Sequence, residues 1–437
     1  MGKNDDMEIS RRGFIGGVAA LGAGGVSFAA MEVDAPKRVP SLIASAPVLQ
    51  NAAERSMGVA FAVSADASGW VEISRSPDMG GARRVYSGGL GMMEVDDKLA
   101  QIRLRDLRPA TRYWYRIGAD RIEYKNGYRM KNLGSEVDGN IHSFTTLGAE
   151  ASGSFCIIND THDQKPALDL VLAKLAALKP SVVIWNGDAL NKAEKMQKAI
   201  DVLITPHEKH PGYAADMPFM FLNGNHDFRG RFARHLERVW MFRDPAERGG
   251  RFAELGRNFV QRLGDVALIG LETGEDKPDD YPGFARIFQM DRYRDLQTEW
   301  LAEAVESPTV KTAKFKVAIC HIPLFHPNWR DPKLPGGDGP VNGKCAAMTR
   351  PCAFRWRPLL EKAGIHLVVS GHTHRYVHYA PDVERAWSQI VGGGCAVHPG
   401  HETAFPSVVE GFVKGGSLVV RVHNCTDDKI VMERSFS

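Results

Sequence analysis

The alternation of apolar and polar positions divides the chain into two rhythms. From Met57 to Leu147, apolar residues recur at every second position in short runs. Gly58-Val-Ala-Phe-Ala-Val63, Gly69-Trp-Val-Glu-Ile-Ser74 and Ala100-Gln-Ile-Arg-Leu-Arg105 each predict a strand with one buried face. Gly and Pro turns separate them, and His142-Ser-Phe-Thr-Thr-Leu147 closes the series. From Gly153 the rhythm lengthens. Ser154-Phe-Cys-Ile-Ile158 is a continuous apolar run, and Leu168, Val171, Leu172, Leu175 and Leu178 then recur at helical spacing behind Pro166. Ser181-Val-Val-Ile-Trp185 is the next run, completing a β-α-β unit. Further strands are predicted at 219–222, 266–271, 315–320 and 365–370, a helix at 296–305, and a strand-rich tail at 386–436. The predicted fold class is α/β, a layered β-sandwich flanked by helices over 153–437, preceded by a small all-β sandwich over 57–148. Residues 31–56 read as a linker.

Composition narrows the class without naming a chemistry. The chain has 437 residues, 43% hydrophobic and 24% charged, with a formal net charge of +3. That is a globular balance, and it gives no electrostatic reason to expect a nucleic-acid partner. Residues 1–30 read as an address. Ser10-Arg11-Arg12-Gly13-Phe14-Ile15 runs into an apolar, Gly-rich stretch ending at Ala30, the pattern of a twin-arginine export signal. An uncleaved anchor is the competing reading, but the stretch falls short of the ~20 apolar residues a span wants. The expectation is export to the periplasm or beyond, with the twin-arginine machinery as a partner and no stable membrane insertion after processing. Of the six cysteines, Cys156 and Cys320 sit in apolar strands as buried thiols. Cys345 and Cys352, in a Gly- and Pro-rich loop, are candidates for a disulfide in an exported protein.

The unusual polar residues fall at strand ends. Asp160 and His162 follow Ile158; Gly187-Asp188 follows Trp185; Gly224-Asn225-His226-Asp227 follows Leu222; His321 follows Cys320; Gly371-His372-Thr-His374 follows Ser370. Sites in α/β sheets assemble at the carboxyl ends of strands. Imidazoles, carboxylates and an amide gathered there suit Fe, Mn or Zn, and are too many for one tetrahedral ion. Two ions ~3.5–4 Å apart sharing a carboxylate would use them all.

This ordered set of motifs resembles the calcineurin-like metallophosphoesterase superfamily over about 153–376. The segment Leu107-Arg-Pro-Ala-Thr-Arg-Tyr113 resembles the corner of a fibronectin type III sandwich, in which a tyrosine hydroxyl closes the turn. Together they are similar in layout to purple acid phosphatases. The resemblance implies that Asp160, His162 and His374 bind one ion, that Asn225, His321 and His372 bind the other, and that Asp188 bridges them. It implies that His226 contacts the phosphate and protonates the leaving oxygen, with Asp227 orienting its ring. The implied reaction is hydrolysis of phosphomonoesters or small phosphodiesters by a hydroxide shared between two divalent or trivalent ions. The chain departs from purple acid phosphatases at two points. Asn191 stands where they place a tyrosine ligand, and His162 stands where they have glycine.

Other residues are weaker candidates. Asn225, Arg229 and His326 are substrate contacts to be tested, Arg229 through a bidentate fork to phosphate. His207 and His210 read as loop residues that either line the pocket or face solvent. Residues 328–357, rich in Gly, Pro and basic residues, read as a lid. Two other functions stay open: a non-catalytic metal-containing binding protein, and a hydrolase of a different bond on the same scaffold.

Overall fold

Along the strand Ser154–Ile158, Phe155 and Ile157 enter one apolar cluster while Cys156 and Ile158 enter another. This is the two-residue period of a strand buried on both faces, and it sets the layering of the molecule. The computed structural model describes residues 40–244, 250–327, 341–383 and 385–437, without the side chains of 341–347. The expected export signal, the Cys345 side chain and the 328–340 part of the expected lid lie outside the described residues. Ser41–Ser437 forms one compact unit.

Two sheets lie face to face. The first has nine strands, in the spatial order Lys429–Phe436, Ser417–Asn424, Ser407–Lys414, Ser154–Ile158, Val182–Asn186, Phe219–Leu222, Val48–Gln50, Met57–Ala62 and Leu99–Leu104. The second has six, in the order Phe259–Leu263, Val266–Leu271, Phe315–Cys320, Leu367–Ser370, Ser388–Val391 and Val377–Tyr379. Ile157, Ile184 and Met220 of the first share a core with Leu268, Val317 and Leu367 of the second. The helix Lys165–Leu178 covers the outer face of the first sheet with Leu168, Val171, Leu172 and Leu175. It starts with Pro166 in its first turn and stops at Lys179, whose left-handed backbone (φ 50°) turns its N–H onto Leu175 O. The helices Met290–Ala304 and Val341–Lys362 cover the second sheet with Trp300, Leu301, Trp356 and Leu360. The layered α/β architecture is therefore as the periodicity predicts.

The front β region precedes this sandwich and is joined to it through hydrogen bonds. Its second layer is a five-stranded sheet containing Ala67–Ser74, Arg112–Asn126 and His142–Thr145. Tyr113 Oη accepts the Arg108 N–H at 2.9 Å, closing the corner that the Leu-x-Pro-x-Thr-x-Tyr segment predicts. Its first layer, Met57–Ala62 with Leu99–Leu104, is the edge of the nine-stranded sheet itself. Residues 40–56, read as linker, supply the strand between them: Gln50 pairs with Phe219 in parallel register. The Gln50 side chain is fully buried, donating to Val239 O and accepting from Met241 N, both at 3.0 Å.

The stretch read as a Gly- and Pro-rich loop is in part helical. Val341–Lys362 is one helix despite Pro351 and Pro358, because Cys352, Trp356 and Leu360 recur at four-residue spacing and bury together. Cys352 is a buried free thiol whose Sγ faces Thr273 O.

Candidate metal centre

The strands 154–158, 182–186 and 219–222 run parallel in one sheet, and 266–271, 315–320, 367–370 and 388–391 run parallel in the other. Parallel pairing puts their carboxyl ends at one edge of each sheet, and the motif loops leave from there. The loops are tight. Asp160, His162, Asp188, His372 and His374 all hold left-handed backbone, with φ between 48° and 72°. For residues with a Cβ this costs ~1–3 kcal/mol each, and such strain concentrates at functional sites. Two of the motif glycines are required by close approach. A Cβ on Gly224 would lie 2.2 Å from Asp188 Oδ1, and one on Gly371 would lie 2.4 Å from Asp160 Oδ2.

The seven predicted ligands are brought to one place. Donor atoms of Asp160, His162, Asp188 and His374 lie within 4.8 Å of one another, as do those of Asp188, His321 and His372. Asp188 belongs to both groups. Its Oδ2 is 3.5 Å from His162 Nε2 and 3.3 Å from His321 Nε2. Asn225 Oδ1 sits 3.0 Å from His372 Nδ1. Asp160 Oδ1 is 3.5 Å from His374 Nε2, and His162 Nε2 is 2.9 Å from the same nitrogen. Two buried atoms, Asp160 Oδ1 and His321 Nε2, have no hydrogen-bond partner among the described residues. Buried polar atoms are ordinarily satisfied, and a nitrogen–oxygen donor set with free lone pairs fits a transition-metal ion.

The charges are strongly coupled. Burial pushes the Asp188 carboxyl up, but His321, His226 and His162 outweigh it and hold it well below the usual carboxylate range. Burial alone would lower His321; the charges of Asp188 and Asp160 instead raise it to about 10. His372, half-buried, is lowered to about 4 by its loss of solvent and by the neighbouring His321.

His226 borders the same cavity as Asp188, Asn225, His372 and His374, a space of about 270 Å³. Its ring is oriented differently from expectation. Nδ1 is 3.0 Å from the Asn191 carbonyl, and Arg229 Nη1 is 3.0 Å from Nε2. Asp227, expected to orient that ring, does not touch it. Its buried carboxylate accepts the N–H groups of Asp188 (2.7 Å), Gly224 (2.8 Å) and Leu190 (3.0 Å), because the crossing of two tight loops leaves those donors pointing at one spot. It ties the loops together and is a positioning residue. Arg229 lines the cavity, but its fork is given to Glu275 at 2.8 and 2.9 Å and to Asp276 at 3.0 Å, so a bidentate grip on phosphate is not what this geometry offers. Asn191, at the place of the missing tyrosine, holds His162 Nδ1 through its Oδ1 at 3.1 Å. His326 is half-buried and is not among the residues lining the cavity. His207 and His210 gather elsewhere, around Asp169 and Lys209.

Several residues of the site escaped the sequence reading. Glu275, Asp276 and Lys277 follow the strand Val266–Leu271, and the same strand-end rule would have found them. Cys395, beside the His374 ring, follows the strand Ser388–Val391 and the three glycines 392–394. Met348, whose Sδ is 2.9 Å from His372 Nε2, carries no sequence signal.

Paired nitrogen–oxygen donor clusters at the strand ends of a two-sheet sandwich are the arrangement of a protein built to hold two metal ions. The calcineurin-like phosphoesterase profile matches residues 153–376, just over half of the chain. The chain belongs to that family, and it is a metal-dependent phosphoric ester hydrolase. Among solved structures it is similar to a purple acid phosphatase from yellow lupin (Lupinus luteus) seeds, with 15% identity and a TM-score of 0.62 over 91% of this chain and 75% of that one. It is also similar to PhoD, with 10% identity and a TM-score of 0.60 over 90% of this chain and 91% of that one. At these identities the likeness is one of fold, front β region included. No curated protein matches the sequence significantly.

Proposed function

We propose that the chain is an exported two-metal phosphoesterase acting on phosphomonoesters or small phosphodiesters. In this reading Asp160, His162 and His374 hold one ion, Asn225, His321 and His372 hold the other, and Asp188 bridges them. The observation that carries it is the membership of Asp188 in both donor groups. Fe, Mn or Zn ions held there would supply Lewis acidity toward phosphoryl oxygens and lower the pKa of water.

The chain's own residues do the rest. A guanidinium can only donate, so the 3.0 Å contact from Arg229 Nη1 makes His226 Nε2 the acceptor. The ring proton is therefore on Nδ1 and is given to the Asn191 carbonyl. Protonation of Nε2 would set two donors against each other. Arg229 Nη1 is then released toward the phosphoryl oxygens, and His226 becomes the donor to the leaving oxygen. Glu275 and Asp276 keep the Arg229 side chain at the rim throughout. Export rests on the Arg11–Arg12 motif and its apolar stretch. No helix among the described residues is long and apolar enough to cross a membrane.

The test is turnover of a panel of mono- and diesters by protein whose metal content is quantified. Hydrolysis that rises with metal loading and saturates at two equivalents supports the reading. No turnover of any phosphate ester at two equivalents, at any pH, overturns it.

A further inference from the structure

Arg229 has two sides. One faces His226 and the metal-binding cavity. The other lies over the Phe284 ring, with 5.5 Å from guanidinium carbon to ring centre. Behind it is a second space of about 360 Å³, of which Arg229 is a shared wall. Its lining has a different character from the first: Phe228, Phe284, Ile287 and Phe288 supply an apolar surface. The rings of Phe284 and Phe288 meet edge to face at 5.5 Å, and Arg234 stands over Phe288 at 5.8 Å. Ile287 is 60% exposed. Beyond Phe228, Arg234, Ile287 and Phe288 the surface continues into a further cavity of about 400 Å³. The polar candidate metal site and an apolar trough thus lie on either side of a single arginine, and the trough is within the size range of small-molecule pockets.

We propose that this trough binds the alcohol portion of the substrate and selects phosphate esters whose alcohol carries an apolar ring. The inference rests on the phosphoesterase reading and adds the substrate class to it. Two features favour such an occupant. Because the two spaces share the Arg229 side chain as a wall, a molecule lying over it would place its phosphate among the candidate metal ligands and its organic part against the phenylalanines. The edge-to-face pair leaves ring surface that an incoming aromatic group can stack on. A short polar alcohol would leave the trough wetted and gain nothing from it.

The test compares propyl phosphate with 3-phenylpropyl phosphate on metal-loaded protein, because the two alcohols are of nearly equal basicity and differ only in the ring. Burying the ring should raise kcat/KM by ~10- to 100-fold. Phe288→Ala and, as a surface change that spares folding, Ile287→Ser should each reduce that ratio while leaving propyl phosphate turnover unchanged. A wild-type ratio near one, or a ratio untouched by both variants, overturns the proposal. If neither ester is turned over, the phosphoesterase reading has failed, and the trough is then judged by calorimetric titration with 3-phenylpropanol. Binding that Phe288→Ala and Ile287→Ser weaken supports the trough as a ring-binding site; no binding overturns it.

Discussion

Asp160 Oδ1 and His321 Nε2 face each other across 3.8 Å, fully buried, and neither has a hydrogen-bond partner among the described residues. The gap is too long for a hydrogen bond. It suits donors that each reach ~2.0–2.2 Å toward an ion of its own, Asp160 toward one of the pair and His321 toward the other. The charges of Asp188 and Asp160 raise His321 to about 10, so proton and metal compete for one nitrogen.

Metal affinity should therefore depend on pH with a definite sign. Binding displaces the His321 proton, so the apparent affinity should rise with pH, ~10-fold per unit for one proton, until it levels near pH 10. Calorimetry in buffers of different ionisation enthalpy should register proton release. The metal-free protein should show the opposite trend in stability. The raised His321 pKa stabilises it fully below ~6.5, and that contribution is lost as pH climbs toward 10. Affinity that is flat between pH 6 and 9 would rule this linkage out.

His226→Ala should leave both metals bound and lower kcat by ~10²–10⁴-fold. Asp188→Asn should instead abolish binding of both ions, since both donor groups lose a member. Metal analysis alongside turnover separates the two outcomes; loss of metal from the His226 variant would place that residue among the ligands.

Asp227→Asn should act through structure. It loses a carboxylate that accepts three backbone N–H groups, so unfolding free energy should fall by ~1–3 kcal/mol. Metal affinity should weaken with it. At full metal loading kcat should be largely retained, because the His226 ring is held by Asn191. A large fall in kcat at full metal loading would restore Asp227 as the group that orients the ring.

Gln50→Ala should destabilise the junction between the front β region and the large sheet. The buried amide bonds two backbone groups, at Val239 and Met241, and its loss leaves them unpaired. Denaturant unfolding should show a loss of ~1–3 kcal/mol, with kcat unchanged in the absence of denaturant.

Much of the molecule was legible from local pattern. Phe155 and Ile157 alternate with Cys156 and Ile158, and that alternation is a property of neighbouring residues. The seven candidate ligands were legible too, because each stands within four residues of the end of an apolar strand. The Tyr113 corner could be read because its donor, Arg108, is only five positions away.

What could not be read involves partners distant along the chain. Asn191 rather than Asp227 holds the His226 ring because the 188–191 and 224–229 loops cross in space. Gln50 is an unremarked polar residue until the strand Val48–Gln50 lies beside Phe219. The fork of Arg229 is spent on Glu275, 46 positions away. Apolar period and turn chemistry act over a few residues and are written in order along the chain. Hydrogen-bond partnership and the sharing of a cavity wall depend on which loops the sheets bring to one edge, and that is settled when the whole core packs.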